Sequence, residues 1–517
     1  MAKSDNQSAL LVDSLTGHYL YRAEQVKQGE KQAATLAKLS LFELMERAGK
    51  AVFDLIRHEY PNLTSLAVCC GGGNNAGDGY VVAGLAKQLG IPVTLYQLGS
   101  PNRLSGDAKK AMQQWQSVGG AILSANDALI GSKVDKGQAS QSLSHCDVIV
   151  DAILGTGLHG SVREPEKQLI EIINASSPAV VSVDLPSGLC ADTGNAFGAS
   201  IEAEHTVTFI GRKQGLYTGQ ARAFTGQVHF AGLGVDKHFK NNNSASAQTL
   251  DGLKFLQQVA PRSPTAHKGH HGKLLCIGGN EGMSGAITLA ATAAARIGAG
   301  LICALTHPDS VVALQVYCPE VMCAKWRGDA NMLVKRSIWA NVLLLGPGLG
   351  RGDWSWSAFH ALVDLEKNKV LDADALTLLS IQPNYDERRI ITPHSGEAAR
   401  LLGVEVTQVE SDRFRAVQEL QERYGGVAIL KGPGTLVCDG KVIYVCQQGN
   451  AGMASGGMGD VLAGVIASLL AQGVPLLTAA AAGVYLHSAA ADIAAQGGQK
   501  GMLASDLLPI LRTLING

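Results

Sequence analysis

LAVCCGGGNNAGDGYVVAGLAKQLGIPVTLYQL, residues 66–98, decides the architecture of the first half of the chain. Its opening apolar run, 66–70, is too short for a helix and reads as a buried strand. A glycine-rich turn follows, then a helical stretch from Tyr80 to Leu89 and a second strand-like run at 93–98. Strand, helix and strand in this order form a βαβ unit, whose crossover demands a parallel sheet covered by helices. Upstream, Leu41, Leu44, Met45, Ala48, Val52, Leu55 and Ile56 recur at three- and four-residue steps, the pattern of an amphipathic helix. Downstream, 148–154, 180–184 and 206–210 are short, rich in β-branched residues and stopped by Gly or Pro, so each predicts a further strand. The expected fold class is α/β, with a Rossmann-like doubly wound sheet in this half.

The whole chain has 517 residues, more than one hydrophobic core usually serves. The stretch KNNNSASAQT at 240–249 loses both hydrophobicity and periodicity, and marks the expected linker. This predicts one domain over 1–245 and a second over 246–517. In the second, strand candidates at 274–277, 301–305, 342–345, 390–391 and 427–430 alternate with helical segments such as 286–297, again α/β. Apolar residues at 46% against 17% charged exclude a disordered chain. A formal charge of -1 provides no global field for nucleic acid or an anionic membrane, so any phosphate site must be local. The ten cysteines include no CxxC pair and several fall within strand-like runs, which points to reduced core thiols and a cytoplasmic protein. The apolar stretch 464–486 is interrupted by Gln472, Gly473 and Pro475, and reads as two packed helices rather than a membrane span.

Three strand ends in the first half carry polar residues: GGGNNAGDGY at 71–80, DAILGTGLHGS at 151–161 and VDLPSG at 183–188. In an open α/β sheet, ligands gather at the carboxyl ends of strands, so these three converge on one crevice. The spacing is not GxGxxG, and no standard dinucleotide fingerprint is present. Together the three motifs resemble the NAD(P)H-hydrate epimerase family over roughly residues 10–240. The resemblance implies that Asn74, Asn75, Ala76, Gly77 and Asp78, with Gly155, Thr156, Gly157, Leu158, His159, Gly160 and Ser161, border a hydrated nicotinamide dinucleotide. It also implies that Asn75, Asp151 and Ser187 hold a potassium ion. Epimerisation at the hydrated C6 carbon needs a positioned acid or base, and Asp184 is the candidate for binding and for that role.

In the second half, GNAGMASGGMGDVLAGVIASLLAQG, from Gly449, joins a glycine-rich loop, one carboxylate and a long apolar helix. Helix capping alone would account for Asp460, but not for five glycines in the eleven residues before it. A hydroxyl placed between this carboxylate and the loop N–H groups has a base on one side and an anion hole on the other, the geometry of phosphoryl transfer. No GxxxxGK[ST] occurs, which excludes a P-loop ATPase. In KGPGT, Lys431 and the following turn offer a positive charge and open backbone to nucleotide phosphates. His267, His270 and His271 lie close together without Cys or carboxylate at ligand spacing, and predict a basic loop rather than a metal site.

HKGHHGKLLCIGG, LLLGPGLG, ITPHSGEAARLL, LKGPGT and GGMGDVLAG occur in this order and resemble the ribokinase-like NAD(P)H-hydrate dehydratase family over about residues 250–517. The resemblance implies that ADP or ATP, with Mg2+ on its phosphates, binds along Lys431, Gly432, Pro433, Gly434, Thr435 and Gly459. It implies further that Ala286, Gly350, His394 and Asp460 line the hydrate pocket, with Asp460 activating the C6 hydroxyl. The expected protein is therefore a bifunctional repair enzyme, isomerase and lyase, whose partners are NAD(P)H hydrates, adenine nucleotide and a second copy of itself. Two other readings stand beside it: a ribokinase-type small-molecule kinase with an accessory nucleotide-binding domain, and a nucleotide-sensing protein.

Overall fold

The computed structural model describes residues 11–12, 17–130, 143–158 and 160–517, so His159 lies outside the described residues. Two compact units divide between Ser246 and Ala247, except that Gly17 and His18 go with the second.

In the first unit the described strands form one sheet in the order Leu11–Val12, Gln227–Ala231, His205–Phe209, Ala179–Val183, Val148–Ala152, Leu66–Cys70, Val93–Gln97 and Leu123–Ser124. All pairings are parallel except that of Leu11–Val12 with Gln227–Ala231. From Leu66–Cys70 the chain first builds outward on one side, then returns to add Val148–Ala152 on the other, so the order reverses between these two strands. Ligand crevices form at such a switch point. Alternate residues of each strand feed two cores. Leu66, Val68 and Cys70 pack with residues of Leu41–Glu59 and Asn74–Gln88, whereas Ala67 and Cys69 pack with Leu169, Ile170 and Ile173 of Glu164–Asn174. Helices on both faces are what a doubly wound sheet requires.

The crossover helix runs Asn74–Gln88, so it begins six residues before Tyr80, where hydrophobic periodicity alone would start it. Gly77 and Gly79, which suggested a longer turn, lie inside the helix and serve packing. A Cβ at Gly77 would stand 2.5 Å from the Met45 sulfur, and one at Gly79 would stand 2.7 Å from the Ala152 Cβ. Helix Leu41–Glu59 has a capping box in which Ser40 and Glu43 satisfy each other's backbone N–H groups. A further helix, Ala23–Leu36, was not anticipated from the sequence. The polar stretch 240–249 is more regular than its composition suggests. Helix Asp236–Asn242 runs into it, and strand Ala247–Thr249 pairs with Ile443–Val445, a partner that no local pattern reveals.

The second unit has the parallel order Met322–Lys325, Leu301–Thr306, Lys273–Ile277, Val342–Leu345, Asn368–Leu371, Arg389–Ile391 and Val427–Leu430. Leu436–Cys438 and Ile443–Val445 continue the sheet antiparallel. The apolar stretch 464–486 divides between helices Met458–Ala471 and Leu476–Ala494. By length and hydropathy the segment Leu476–Gly497 would suit a membrane, but 67% of its apolar window is buried in the unit. Both helices supply the central cluster, with Val461, Val465, Ile466, Ala480 and Val484 among its members.

Helix Met458–Ala471 crosses helix Ser284–Ile297 at Gly464, where a Cβ would stand 2.1 Å from the Ala290 carbonyl oxygen. Alanine there would gain about 0.8–1 kcal/mol of helix propensity. Overpacking against rigid backbone costs ~1–3 kcal/mol. The clash should win, so Gly464→Ala is expected to destabilise the chain by about 1–2 kcal/mol and to lower its calorimetric Tm by several degrees. An unchanged or raised Tm would show that the two helices are free to separate.

Candidate active sites

In the first unit a cleft of about 1120 Å3 opens at the reversal point of the sheet. Its walls include Asn74, Asn75 and Asp78 from the crossover helix, and Gly155, Thr156, Gly157, Leu158, Gly160 and Ser161 from the loop after Val148–Ala152. Asp184 also faces it. Ala76 and Gly77, expected beside them, are buried in the packing of the helix. Gly72 and Gly73 are unobstructed, and Gly73 caps the helix, so the loop does present backbone N–H groups at a positive helix end.

Asp151 and Ser187 lie beneath the cleft, both almost wholly buried. The Asp151 carboxylate accepts from Ser182 Oγ at 2.8 Å, from Ser187 N at 2.8 Å and from Ser187 Oγ. Burial pushes its pKa up, and these hydrogen bonds oppose the shift. Asn75 Nδ2 donates to the Leu154 carbonyl at 2.8 Å, and Leu154 N donates to Ser187 Oγ at 2.8 Å. Asn75 and Ser187 thus meet at the Leu154 carbonyl and Asp151 joins them through Ser187, a collection that includes hard oxygens suited in kind to an alkali cation. Among the described residues no three His, Cys, Asp or Glu side chains cluster as a metal site.

Asp184 follows strand Ala179–Val183 with a left-handed backbone, φ 67°. Its carboxylate forms an ion pair with the buried Lys213 and accepts from Thr208 Oγ1 and Phe209 N, each at 3.2 Å. Lys213 also donates to the Phe209 carbonyl at 3.0 Å. Asp78 and Glu30 complete the group. Burial, then the negative charges of Asp184 and Glu30, push the Asp78 carboxyl well above the carboxylate range, against the pull of Lys213. Glu30 is raised mainly by burial. Sequence reasoning found Asp78 and Asp184 but missed Lys213 and Glu30, which lie outside the three motifs.

In the second unit Asp460 occupies the first turn of helix Met458–Ala471, whose N-cap Gly457 is left-handed at φ 90°. Across from it, Lys431 Nζ donates to Asp372 Oδ1 at 3.0 Å and stands 3.7 Å from Glu397 Oε2. Burial depresses the Lys431 ammonium, but the attraction of Asp372 and Glu397 outweighs this and leaves its pKa above the usual value. Asp460 is pushed up to about 7 by burial and by Asp372, with Lys431 opposing. A Cβ at Gly459 would stand only 3.2 Å from Lys431 Nζ, so glycine leaves the ammonium its space.

The KGPGT turn is held from behind by a fully buried Arg413, whose Nη2 donates to the carbonyls of Leu430 and Lys431 at 3.3 and 3.1 Å. Thr435 Oγ1 closes the turn on the Gly432 carbonyl at 3.0 Å. Gly350, left-handed at φ 76°, donates its N–H to Asp374 at 2.8 Å. Ala286 packs close to Gly348 of the same loop, 3.1 Å from where its Cβ would lie. His394 caps helix Ser395–Leu402: its Nδ1 accepts from Gly396 N, its own N–H bonds Glu397, and its ring remains exposed. His267 likewise accepts from Gly269 N in a short turn, so the histidine cluster is locally satisfied.

Two family models match the chain: one described as YjeF-related protein N-terminus over residues 41–215, and one as NAD(P)H-hydrate dehydratase over residues 274–513. The bifunctional NAD(P)H-hydrate repair enzyme Nnr of Vibrio cholerae is 52% identical over 499 residues, covering 96% of this chain and 98% of that protein. The chain belongs to the bifunctional NAD(P)H-hydrate repair enzyme family. The family's Escherichia coli member is 44% identical, covering 96% of this chain and 94% of its own length. Among solved structures, the ADP/ATP-dependent NAD(P)H-hydrate dehydratase of Bacillus subtilis is 27% identical, with TM-score 0.46, and covers 51% of this chain and 97% of its own.

For this repair-enzyme chain, the Lys431 cluster yields a direct electrostatic test. Removing the ammonium in Lys431→Met takes away the one positive charge that holds the Asp460 proton affinity down. The Asp460 carboxyl, followed by carbon-detected NMR, is expected to titrate above the parent's midpoint of about 7. An unmoved or lowered midpoint would show that the two side chains are not coupled.

Proposed function

We propose that the first unit interconverts the R and S hydrates of NADH and NADPH, and that the second dehydrates the S form at the expense of ADP or ATP. The products of the second step are NAD(P)H, phosphate and AMP or ADP. One chain holding both sites recovers both epimers of a damaged cofactor, because the first unit supplies the stereoisomer that the second accepts.

The observation that carries the dehydratase reading is the setting of Asp460: a carboxyl poised near neutral pH at a helix N-terminus, opposite a partly buried lysine. A base with a pKa near the working pH is the most effective proton acceptor. Asp460 takes the proton of the C6 hydroxyl as that oxygen attacks the terminal phosphoryl of the nucleotide. The new bond joins that oxygen to phosphorus as the bridging P–O bond breaks and AMP or ADP leaves with its electron pair. The C6–O bond then breaks, phosphate departs with that pair, and loss of the C5 proton to solvent restores the dihydropyridine. Hydroxide would leave far less readily. Lys431 and the backbone of Gly432, Pro433, Gly434 and Thr435, with Gly459, receive the nucleotide phosphates. Ala286, Gly350 and His394 border the hydrated ring. Mg2+ arriving with the nucleotide supplies charge neutralisation for phosphoryl transfer.

In the first unit the open N–H groups before Asn74 and the loop at 155–161 receive the dinucleotide, and Asp184 binds the hydrated ring and takes part in proton movement. Asn75, Asp151 and Ser187 would hold K+ in a floor of oxygen donors, and the charge would neutralise the buried Asp151 carboxylate. The ten cysteines are all free thiols, in keeping with a cytoplasmic setting.

The test uses purified full-length protein with mixed hydrate epimers, with and without ADP or ATP, followed by absorbance of reduced nicotinamide and by phosphate release. Restored absorbance with free inorganic phosphate is expected; a stable phosphate ester would establish the rival ribokinase-type small-molecule kinase activity instead. Asp460→Ala should lower dehydration by ~10²–10⁴-fold. In the parent the rate should rise as pH passes about 7, because the base must be ionised to act. Regeneration by Asp460→Ala at the parental rate would overturn the assignment.

A further inference from the structure

The cleft of the first unit holds more titratable groups than substrate binding requires. Of the acids that line it, Glu30, Asp78 and Asp184 lie within electrostatic reach of one another and of the buried ammonium of Lys213. Lys213 is committed to Asp184, and the Asp184 carboxylate has two further donors, Thr208 Oγ1 and Phe209 N. Among the described residues no side-chain hydrogen bond holds Asp78: the hydrogen bond that opposes its shift comes from its own backbone. Two like charges beside this recessed carboxyl leave it as the one that keeps a proton. The site therefore contains one carboxyl set up to give a proton and one set up to take it, the arrangement in which two acids adopt opposite roles.

We propose that Asp78 is a catalytic acid of the epimerase, acting with the Asp184 carboxylate on one bound ring, and that Lys213 is the positioning residue that holds Asp184 for that role. This rests on the epimerase reading of the first unit. Asp78 protonates the C6 hydroxyl; the C6–O bond breaks and its electron pair leaves with oxygen as water, while the ring nitrogen lone pair forms the C6–N double bond. Water then adds to the opposite face of C6, its oxygen forming the new bond as Asp184 accepts the released proton. Turnover in the reverse sense, or exchange with solvent, returns the two carboxyls to their starting states. Glu30, with Lys27 beside it, faces the same group and adds negative charge that favours the protonated Asp78.

The test follows conversion of one purified hydrate epimer into the other by chromatography, without nucleotide and after subtraction of the spontaneous rate. Asp78→Asn keeps the shape of the side chain and removes its acid, and is expected to lower kcat by ~10²-fold or more with KM little changed. Lys213→Met should move the acid-side limb of the pH–rate profile upward, since the carboxylate that Lys213 neutralises loses its cation, and Lys213→Arg should restore most of the original profile. Calorimetric unfolding and circular dichroism that match the parent's show that the first unit of each variant is folded. Asp78→Asn epimerising at the parental rate, or Lys213→Met with an unmoved profile, would overturn the proposal. A parent chain no faster than the spontaneous reaction would overturn the epimerase reading as well, so the two failures are distinguishable.

Discussion

Several carboxyls crowd around one ammonium at each site, that of the buried Lys213 and that of the partly buried Lys431, and the chemistry of both sites depends on that imbalance. Lys213 is shared among Asp184, Asp78 and Glu30, and Lys431 among Asp372, Glu397 and Asp460. A buried ammonium costs free energy unless it is paired, and buried carboxyls likewise. Pairing satisfies the nearest acid. The next has its ionisation opposed by the first, so its proton affinity rises toward the range where proton transfer is useful. The side chains come from segments far apart in the chain, so only a rigid sheet and its strand-end loops hold them together.

That rigidity comes from close packing beneath the sites. The helix that carries Asn75 and Asp78 lies against Met45 and Ala152 at Gly77 and Gly79, and the helix that carries Asp460 lies against Ala290 at Gly464. Helices this close to their neighbours have no room to tilt, so Asp460 in the first turn of one and Asp78 just beyond the first turn of the other are placed by backbone geometry. The glycines in these motifs thus have two distinct uses. Some expose N–H groups at a helix mouth, as Gly73 does; others remove a Cβ where backbone meets backbone.

Much of the fold was legible because buried parallel strands announce themselves as short apolar runs. The strands at 66–70, 342–345 and 427–430 have the bounds that the sequence suggested. The start of the crossover helix was not, because glycines that serve packing are indistinguishable in sequence from glycines that make a turn. Strand Ala247–Thr249 escaped notice for a different reason, since its partner lies almost two hundred residues away and its own composition is polar. In the sites, the residues inside glycine-rich motifs were legible, whereas Lys213, Glu30, Asp372 and Arg413 were not. A lone lysine or arginine in sequence reads as a solvated surface charge, and only the three-dimensional neighbourhood reveals that it is buried and paired.

A carboxyl that is about half protonated near neutral pH is also a reservoir of hydrogen ions. When a polyphosphate settles beside Asp460, its negative charge must favour the neutral form of the acid, so the protein draws a proton out of solution as the anion arrives. Uptake of that proton makes the apparent heat of association depend on the buffer that surrenders it. By the same thermodynamic reciprocity, acidification tightens the grip on the anion while withdrawing the base needed for turnover, so tight capture and rapid reaction are favoured on opposite sides of neutrality.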